Sequence, residues 1–380
     1  MQKTLHIVSF DIPFPANYGG AIDVFHKIRC LHNSGIKVIL HCFEYGQRKP
    51  SQELEKLCSS VYYYKRNTSL VNHFSIVPYN VKSRISNELK QNLLKDNYPI
   101  LFEVLHSCYL LNDIDLKYRV KLYRHSNIEH DYFFELAKAE KSFLKKVYFN
   151  IEALKLKWFE KNVINSSAIL CVSKTDLNYF KNKYKNTPSY YLPSFHQYDT
   201  VTIAIGIGNY ILYHGNLAIS ENYNAAIWLI ENVFCKLNFN VIISGLNPPL
   251  LLINLISKYH NISLKQNCST SEMNDLITNA QIHCLYTSQE TGLKLKLLNV
   301  LYSGRHVVAN SKMLIGTDLE AACVISNSSV EYINSINQLI NVPINTVFIE
   351  KRNSVLAEMN NAKKTDFLIN LIYIHLVLDS

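Results

Sequence analysis

Thr4-Leu5-His6-Ile7-Val8-Ser9-Phe10 leads into Pro13-Phe14-Pro15-Ala16-Asn17-Tyr18-Gly19-Gly20 and then into the amphipathic stretch Ala21–His32. The first run is short and apolar, as a buried strand of a parallel sheet is. The glycine pair makes a tight turn that lets backbone N–H groups and a helix N-terminus approach an anion; a sterically required turn with no ligand reads the same way. Strand, turn and helix form the opening of a βαβ unit. Further along, Lys37–Phe43, Val61–Lys65, Ile100–Leu105, Lys121–His125 and Ala168–Ser173 read as strands, with helical stretches between most of them. Gly35 ends the first helix as its C′ residue. Alternation of this kind predicts a mainly parallel sheet covered on both faces.

The second half repeats the plan. Strands are expected at Tyr210–His214, Asn240–Ser244, Ile262–Lys265, Gln281–Thr287 and His306–Asn310. Helices are expected at Asn222–Leu237, Pro248–Tyr259, Ser271–Ala280, Lys294–Ser303 and Val330–Leu339. Ser269 or Ser271 caps the third of these. No sequence repeat of fixed period accompanies the repeated plan. The 380 residues suit two α/β domains, each a Rossmann-like unit. The expected domains are residues 1–195 and 205–350, joined across Ser194–Gly208. Residues 351–380 add a C-terminal helix, roughly Asn353–Leu378, long enough to cross back to the first domain.

Composition narrows the class. Hydrophobic residues are 48% and charged residues 18% of the chain, which suits a globular fold and argues against disorder. No run approaches the ~18 apolar residues of a membrane span, and Met1–Phe10 reads as a strand rather than a leader. The nine cysteines are scattered without a Cys-x-x-Cys. Buried free thiols in a reducing cytoplasm follow, rather than zinc or disulfides.

The net charge of +9 is lopsided. Residues 1–200 carry 28 Lys+Arg against 18 Asp+Glu, while residues 201–380 carry 11 against 12. The basic half suits an anionic partner such as a membrane surface, and equally a plain solvated face. Leu136–Val163 concentrates lysines among aromatics. It reads either as a helix lying on an anionic membrane or as a domain helix with its aromatics in the core. No nucleic-acid reader motif accompanies the charge.

The glycines mark the chemistry. Gly-x-Gly-x-x-Gly and Walker A patterns are absent, and Gly206-Ile207-Gly208 precedes a strand instead of following one. Gly215, in His214-Gly215-Asn216-Leu217, follows the first strand of the second half, mirroring Gly19-Gly20. Glu290-Thr291-Gly292-Leu293-Lys294-Leu295-Lys296 opens a helix that runs through Asn299 to Ser303-Gly304. Two lysines at a helix start reinforce the dipole's attraction for a diphosphate; both snorkelling to solvent is the plainer reading.

In this order the features resemble retaining glycosyltransferases of the GT-B type, in the large family 4 group. Gly19-Gly20, Gly215-Asn216-Leu217 and the segment Gly292 through Ser303-Gly304-Arg305-His306-Val307-Val308-Ala309 carry the resemblance. It implies two Rossmann-like domains facing a central cleft. The second domain would hold a UDP- or GDP-linked sugar and the first a glycan or lipid-linked acceptor. Lys294, Lys296, Gly215 and Asn216 would meet the diphosphate, with Gly19, Gly20, Glu290 and Gly292 beside it. Asn299 stands where the family has a ribose-binding glutamate; it accepts a hydrogen bond but brings no charge. Arg124-His125-Ser126-Asn127-Ile128-Glu129-His130-Asp131 is similar to the family's His-Asn-x-Glu stretch. It implies catalytic roles for His125, Glu129 or His130, and places Arg124 and Asn127 on the acceptor side.

The implied reaction is sugar transfer to a hydroxyl with retention, in surface polysaccharide or glycoconjugate synthesis. The departing phosphate oxygen would serve as base. The fold type implies no cofactor and no metal, and Asp113-Ile114-Asp115 reads as surface acid. The implied location is cytoplasmic, with peripheral contact at the inner face of an anionic membrane. Two other classes fit the same architecture. One is a nucleotide-sugar 2-epimerase, which needs acid/base carboxylates in the cleft. The other is a non-catalytic sugar- or partner-binding protein on a GT-B scaffold.

Overall fold

The structure is a computed structural model and describes residues 3–288 and 294–376. The chain divides into two compact units, 1–197 with 361–380, and 198–360. Each is a parallel sheet with helices on both faces.

In the first unit the strands are β1 (Thr4–Ser9), β2 (Lys37–Glu44), β3 (Ser60–Lys65), β4 (Ile100–Glu103), β5 (Lys121–Arg124), β6 (Ala168–Cys171) and β7 (Ser189–Tyr191). They lie in the order β3-β2-β1-β4-β5-β6-β7, and every pairing is parallel. β1, β4, β5 and β6 are buried along their whole length, as central strands covered on both faces are, and β1, β4 and β5 bury polar residues, His6, Glu103, Lys121 and Arg124 among them. One core layer packs Val24, Ile28 and Leu31 of the helix Gly19–Asn33 against Leu5, Ile7 and Leu40; a second lies on the opposite sheet face around Phe102, Tyr123 and Phe180.

The second unit has β8 (Ile211–Gly215), β9 (Val241–Gly245), β10 (Ile262–Gln266), β11 (Ile282–Leu285), β12 (His306–Ala309) and β13 (Val324–Ile325). Their order is β10-β9-β8-β11-β12-β13, again parallel. The expected helices appear as Ser220–Asn232, Leu250–Ile256, Thr270–Asn279, Leu295–Ser303 and Ser329–Leu339. Ser269 caps Thr270–Asn279 in a reciprocal box with Glu272.

Three details depart from the sequence reading. β7 and β13 are additional edge strands, too short to carry a pattern. The expected long C-terminal helix is two helices, Thr346–Leu356 and Asn361–Asn370, because Asn360 is extended between them. The second belongs to the first unit. Leu368, Leu371 and Ile372 enter its core, Asn361 Nδ2 donates to the His196 carbonyl at 2.7 Å, and Tyr373 Oη donates to that of Thr4 at 2.6 Å. Finally, all nine cysteines are free but only Cys42, Cys108, Cys171 and Cys284 are fully buried.

Candidate active site

Ligands of doubly wound sheets bind beyond the carboxyl ends of the strands, where the strand order reverses. In the second unit that point lies between β8 and β11. Gly215 ends β8 and Gly245 ends the neighbouring β9. A Cβ on Gly245 would fall inside the carbonyl oxygen of Gly215, and one on Gly215 would lie 3.2 Å from Asn222 Cγ. Gly245 is therefore required for the two backbones to close on each other, while Gly215 makes room for the Asn222 side chain.

Lys294 and Lys296 stand at the start of the helix Leu295–Ser303 on the other side of this point. Lys296 Nζ donates to Asn222 Oδ1 at 2.9 Å and lies 5.7 Å from the Tyr213 ring centre. Asn222 Nδ2 donates in turn to the Asn216 carbonyl at 2.9 Å. Lys294 Nζ is 3.5 Å from Glu221 Oε1, which also accepts from Thr287 Oγ1. Gly215, Asn216, Lys294 and Lys296, far apart in sequence, thus share one polar group with Glu221, Asn222 and Thr287. Burial pushes the Lys296 ammonium down to about 8; Glu221 opposes the fall and Lys294 adds to it. Two cations and one carboxylate leave the group electropositive, beside an N-terminus with no side-chain cap and no acidic residue in its first turn. Asn299 is half-buried on the same helix. Glu290 and Gly292 lie outside the described residues.

In the first unit the order reverses between β1 and β4. Gly19 and Gly20 begin the helix after β1, whose N-terminus likewise has no side-chain cap and no acidic residue in its first turn. A Cβ on Gly20 would sit 2.6 Å from Phe10 Cζ. After β4, Val104 adopts φ 66°, ψ 149°, a region that a β-branched residue enters only under strain. The segment it turns, Leu105–Asn112, carries His106. His106 Nε2 lies 3.2 Å from Glu129 Oε2, at the start of the helix Glu129–Ala139 that follows β5. Asn80 Nδ2 is 3.4 Å from the same imidazole nitrogen. Glu129 and His106 therefore bring a carboxylate and an imidazole together at the carboxyl edge of the sheet. Asn127 lies half-buried in the bend before Glu129.

Arg124, His125 and His130 turn inward. Arg124, expected on the acceptor side, is buried: Nη2 and Nε lie 3.0 and 3.2 Å from Asp23 Oδ2, and Nη1 donates to the Leu192 carbonyl. Asp23 also accepts from the Phe195 amide at 2.7 Å, while Lys27 beside it pairs with Glu103 at 2.6 Å. Burial alone would raise Asp23, but Arg124 and Lys27 outweigh it and hold the carboxyl below its usual range. His125 is wholly buried, with its ring edge-on to Phe180 at 4.7 Å and Nε2 3.4 Å from Asp176. His130 lies 3.3 Å from Glu160. That carboxylate also accepts from Tyr179, Tyr184 and Lys183; burial would raise it, yet His130 and Lys183 hold it down at about 2. Arg124, His125 and His130 thus serve the interior; Glu129 is buried as well, but its partner His106 lies on the segment that follows β4.

Asp113 and Asp115 both grip Lys90, at 2.9 and 2.7 Å. Among the described residues no group of three or more His, Cys, Asp or Glu is arranged to hold a metal.

No protein-family model matches the chain. An uncharacterized 44.6 kDa protein in the cps region of Klebsiella pneumoniae is 28% identical over 361 positions, covering 87% of this chain and 89% of that one. Among solved structures, TarM matches with a TM-score of 0.70 at 12% identity, over 98% of this chain and 99% of its own. A mutant of S. aureus TarM bound to fondaparinux, alpha-GlcNAc-glycerol and UDP matches with a TM-score of 0.67 at 12% identity, over 97% and 99%. Anabaena HepE in complex with UDP and glucose gives 0.61 at 10% identity, over 96% and 98%. The chain has the GT-B fold, two Rossmann-like units of the kind found in these glycosyltransferases.

Proposed function

We propose that the protein is a glycosyltransferase. It takes a sugar from a UDP-linked donor and passes it to a hydroxyl of a glycan or lipid-linked acceptor in surface polysaccharide synthesis. The observation that carries this reading is the Lys294–Lys296 pair, held by Glu221 and Asn222 against the Gly215 turn at the strand-order reversal of the second unit. The fold, the UDP in the TarM and HepE complexes and the cps-region relative support it.

Breaking the bond from anomeric carbon to diphosphate puts negative charge on the leaving group. Lys294, Lys296 and the N–H groups at the start of Leu295–Ser303 are fixed positive groups for that charge. Diphosphate entering the site draws Lys294 from Glu221 and favours the charged form of Lys296, which burial otherwise disfavours. Asn216 and Asn222 hold the turn, and Asn299 offers its amide oxygen to a ribose hydroxyl. Glu129, oriented by His106, is the side chain we assign to the acceptor hydroxyl, with Gly19, Gly20 and Asn127 lining its approach. In the retaining course the leaving phosphate oxygen takes the hydroxyl proton, and no metal or cofactor takes part.

The test is a screen of UDP-, GDP- and ADP-sugars with release of free nucleoside diphosphate as readout. Release that disappears in Lys296→Ala is the expected result. Interconversion of the sugar without release would instead mark an epimerase. Binding without turnover, unaffected by Lys296→Ala, would mark a non-catalytic binder and sink the proposal.

A further inference from the structure

The helix Phe143–Phe159 has two apolar faces. One, with Ala153, Leu156 and Phe159, is buried in the first unit. On the opposite side Phe143, Val147, Ile151, Leu154 and Trp158 follow one another at intervals of four, four, three and four, a single stripe. All five are exposed, Phe143 by 75% and Trp158 by 53%. An ordinary surface helix turns polar residues to this side.

The segment Leu70–Phe74 extends the stripe. His73 Nδ1 lies 3.1 Å from Tyr148 Oη, and Lys155 Nζ donates to the His73 carbonyl at 2.9 Å. These bonds fix the segment along one flank of the helix. Leu70, Val71, Phe74 and Ile76 all point away from the core there, Phe74 exposed by 90%. Exposed apolar residues gathered in this way mark an interaction face rather than ordinary surface.

Along residues 141–161 the exposed charges have one sign, the acidic residues Asp131, Glu135 and Glu140 belonging to the preceding helix and its end. Lys141, Lys145, Lys146, Lys157 and Lys161 are exposed. The two carboxylates of the same stretch, Glu152 and Glu160, are buried and already bound. Glu152 accepts from the Tyr79 amide at 2.7 Å and from Lys155 at 2.8 Å, and Glu160 is held by Lys183 and two tyrosines. Residues 66–78 contain no acidic residue. A second copy of the chain would set lysine against lysine across a two-fold contact. An anionic bilayer answers both features at once, taking the apolar stripe among its acyl chains and the lysines at its headgroups.

We propose that this face docks the protein onto an anionic phospholipid bilayer, with the helix Phe143–Phe159 lying in the interface plane and Leu70–Ile76 inserting beside it. Among the described residues no helix is long and apolar enough to cross a membrane. The inference does not depend on the glycosyltransferase reading.

The full-length chain is sedimented with vesicles of phosphatidylcholine, with and without phosphatidylglycerol. Binding is expected to require the anionic lipid and to weaken with salt. Lys146→Gln and Lys157→Gln should each raise the lipid concentration for half-binding about fivefold. Phe74→Ser combined with Phe143→Ser should abolish binding while circular dichroism stays unchanged, since both residues are exposed. In a Trp228→Phe background the emission of Trp158 should shift to the blue on the vesicles and be quenched by brominated lipid. Equal binding to neutral vesicles would overturn the proposal, as would binding that leaves Trp158 emission unmoved. So would self-association lost in Phe74→Ser by a chain that ignores vesicles.

Discussion

Lys296 Nζ donates to Asn222 Oδ1 at 2.9 Å across 74 residues of chain. This bond joins the first helix start of the second unit to the helix after β11. Asn222 keeps the ammonium pointed at the Gly215 turn without neutralising it.

Replacing Lys296 with alanine should therefore weaken UDP binding. A charge-assisted hydrogen bond is worth about 1.5–3 kcal/mol, so titration calorimetry should show a loss of roughly 10- to 100-fold. An unchanged affinity would remove Lys296 from the donor site.

The same lysine sets a pH dependence. Its proton is held more weakly than that of an exposed lysine, leaving at about pH 8. Below that value the ammonium is charged and attracts diphosphate; as pH rises through it, the charge and the attraction are lost. UDP affinity should fall on going from pH 7 to pH 9, and the fall should be much smaller in Lys296→Ala. A profile identical in the two proteins would contradict the assignment.

Glu129 and His106 should act on turnover rather than on donor binding. Substituting Glu129→Gln or His106→Ala is expected to lower kcat by about 100-fold or more while UDP affinity stays the same. Equal losses in both measurements would point to a fold defect in place of a role in transfer.

Arg124 should matter to stability. Arg124→Met leaves the buried Asp23 carboxylate without its guanidinium partner, and breaking a buried pair in this way costs about 3–5 kcal/mol. Urea unfolding followed at Trp158, which lies in the first unit, should shift accordingly. A midpoint unchanged from the parent protein would show the pair to be dispensable.

The two glycine turns should respond differently. Gly20→Ala meets the end of the Phe10 ring, a half-buried side chain that can turn aside, and its cost should stay near 1 kcal/mol. Gly245→Ala meets the backbone carbonyl of Gly215, which cannot move without distorting β8. Its cost should reach about 3 kcal/mol or more, with UDP binding lost as well. Thermal unfolding of the two variants side by side makes the comparison.

Most of the sheet strands were legible because a strand buried on both faces leaves a largely apolar stretch, and Ile100, Ile169 and Ile211 sit in such stretches. The place of Lys294 and Lys296 at a helix start was legible, because two lysines opening an apolar helix break its amphipathic pattern. Glu221, Asn222 and His106 were not. Each becomes informative only through a partner remote in sequence, and nothing in Ser220-Glu221-Asn222 differs from an ordinary helix start. Arg124 and His125 were misread for a related reason. A charged strand end can face solvent or core, and the Asp23 carboxylate that draws Arg124 inward lies 101 residues earlier.

Because residues 361–380 complete the unit that residues 1–197 begin, the second unit is an insertion held at both ends. On the ribosome the segment 198–360 is finished while its host still lacks a helix. Lys364, whose ammonium donates to the Ser194 carbonyl at 2.7 Å, is made after every residue it packs against in the first unit's earlier segment. The second unit is thus complete before the stretch that closes the first has been made.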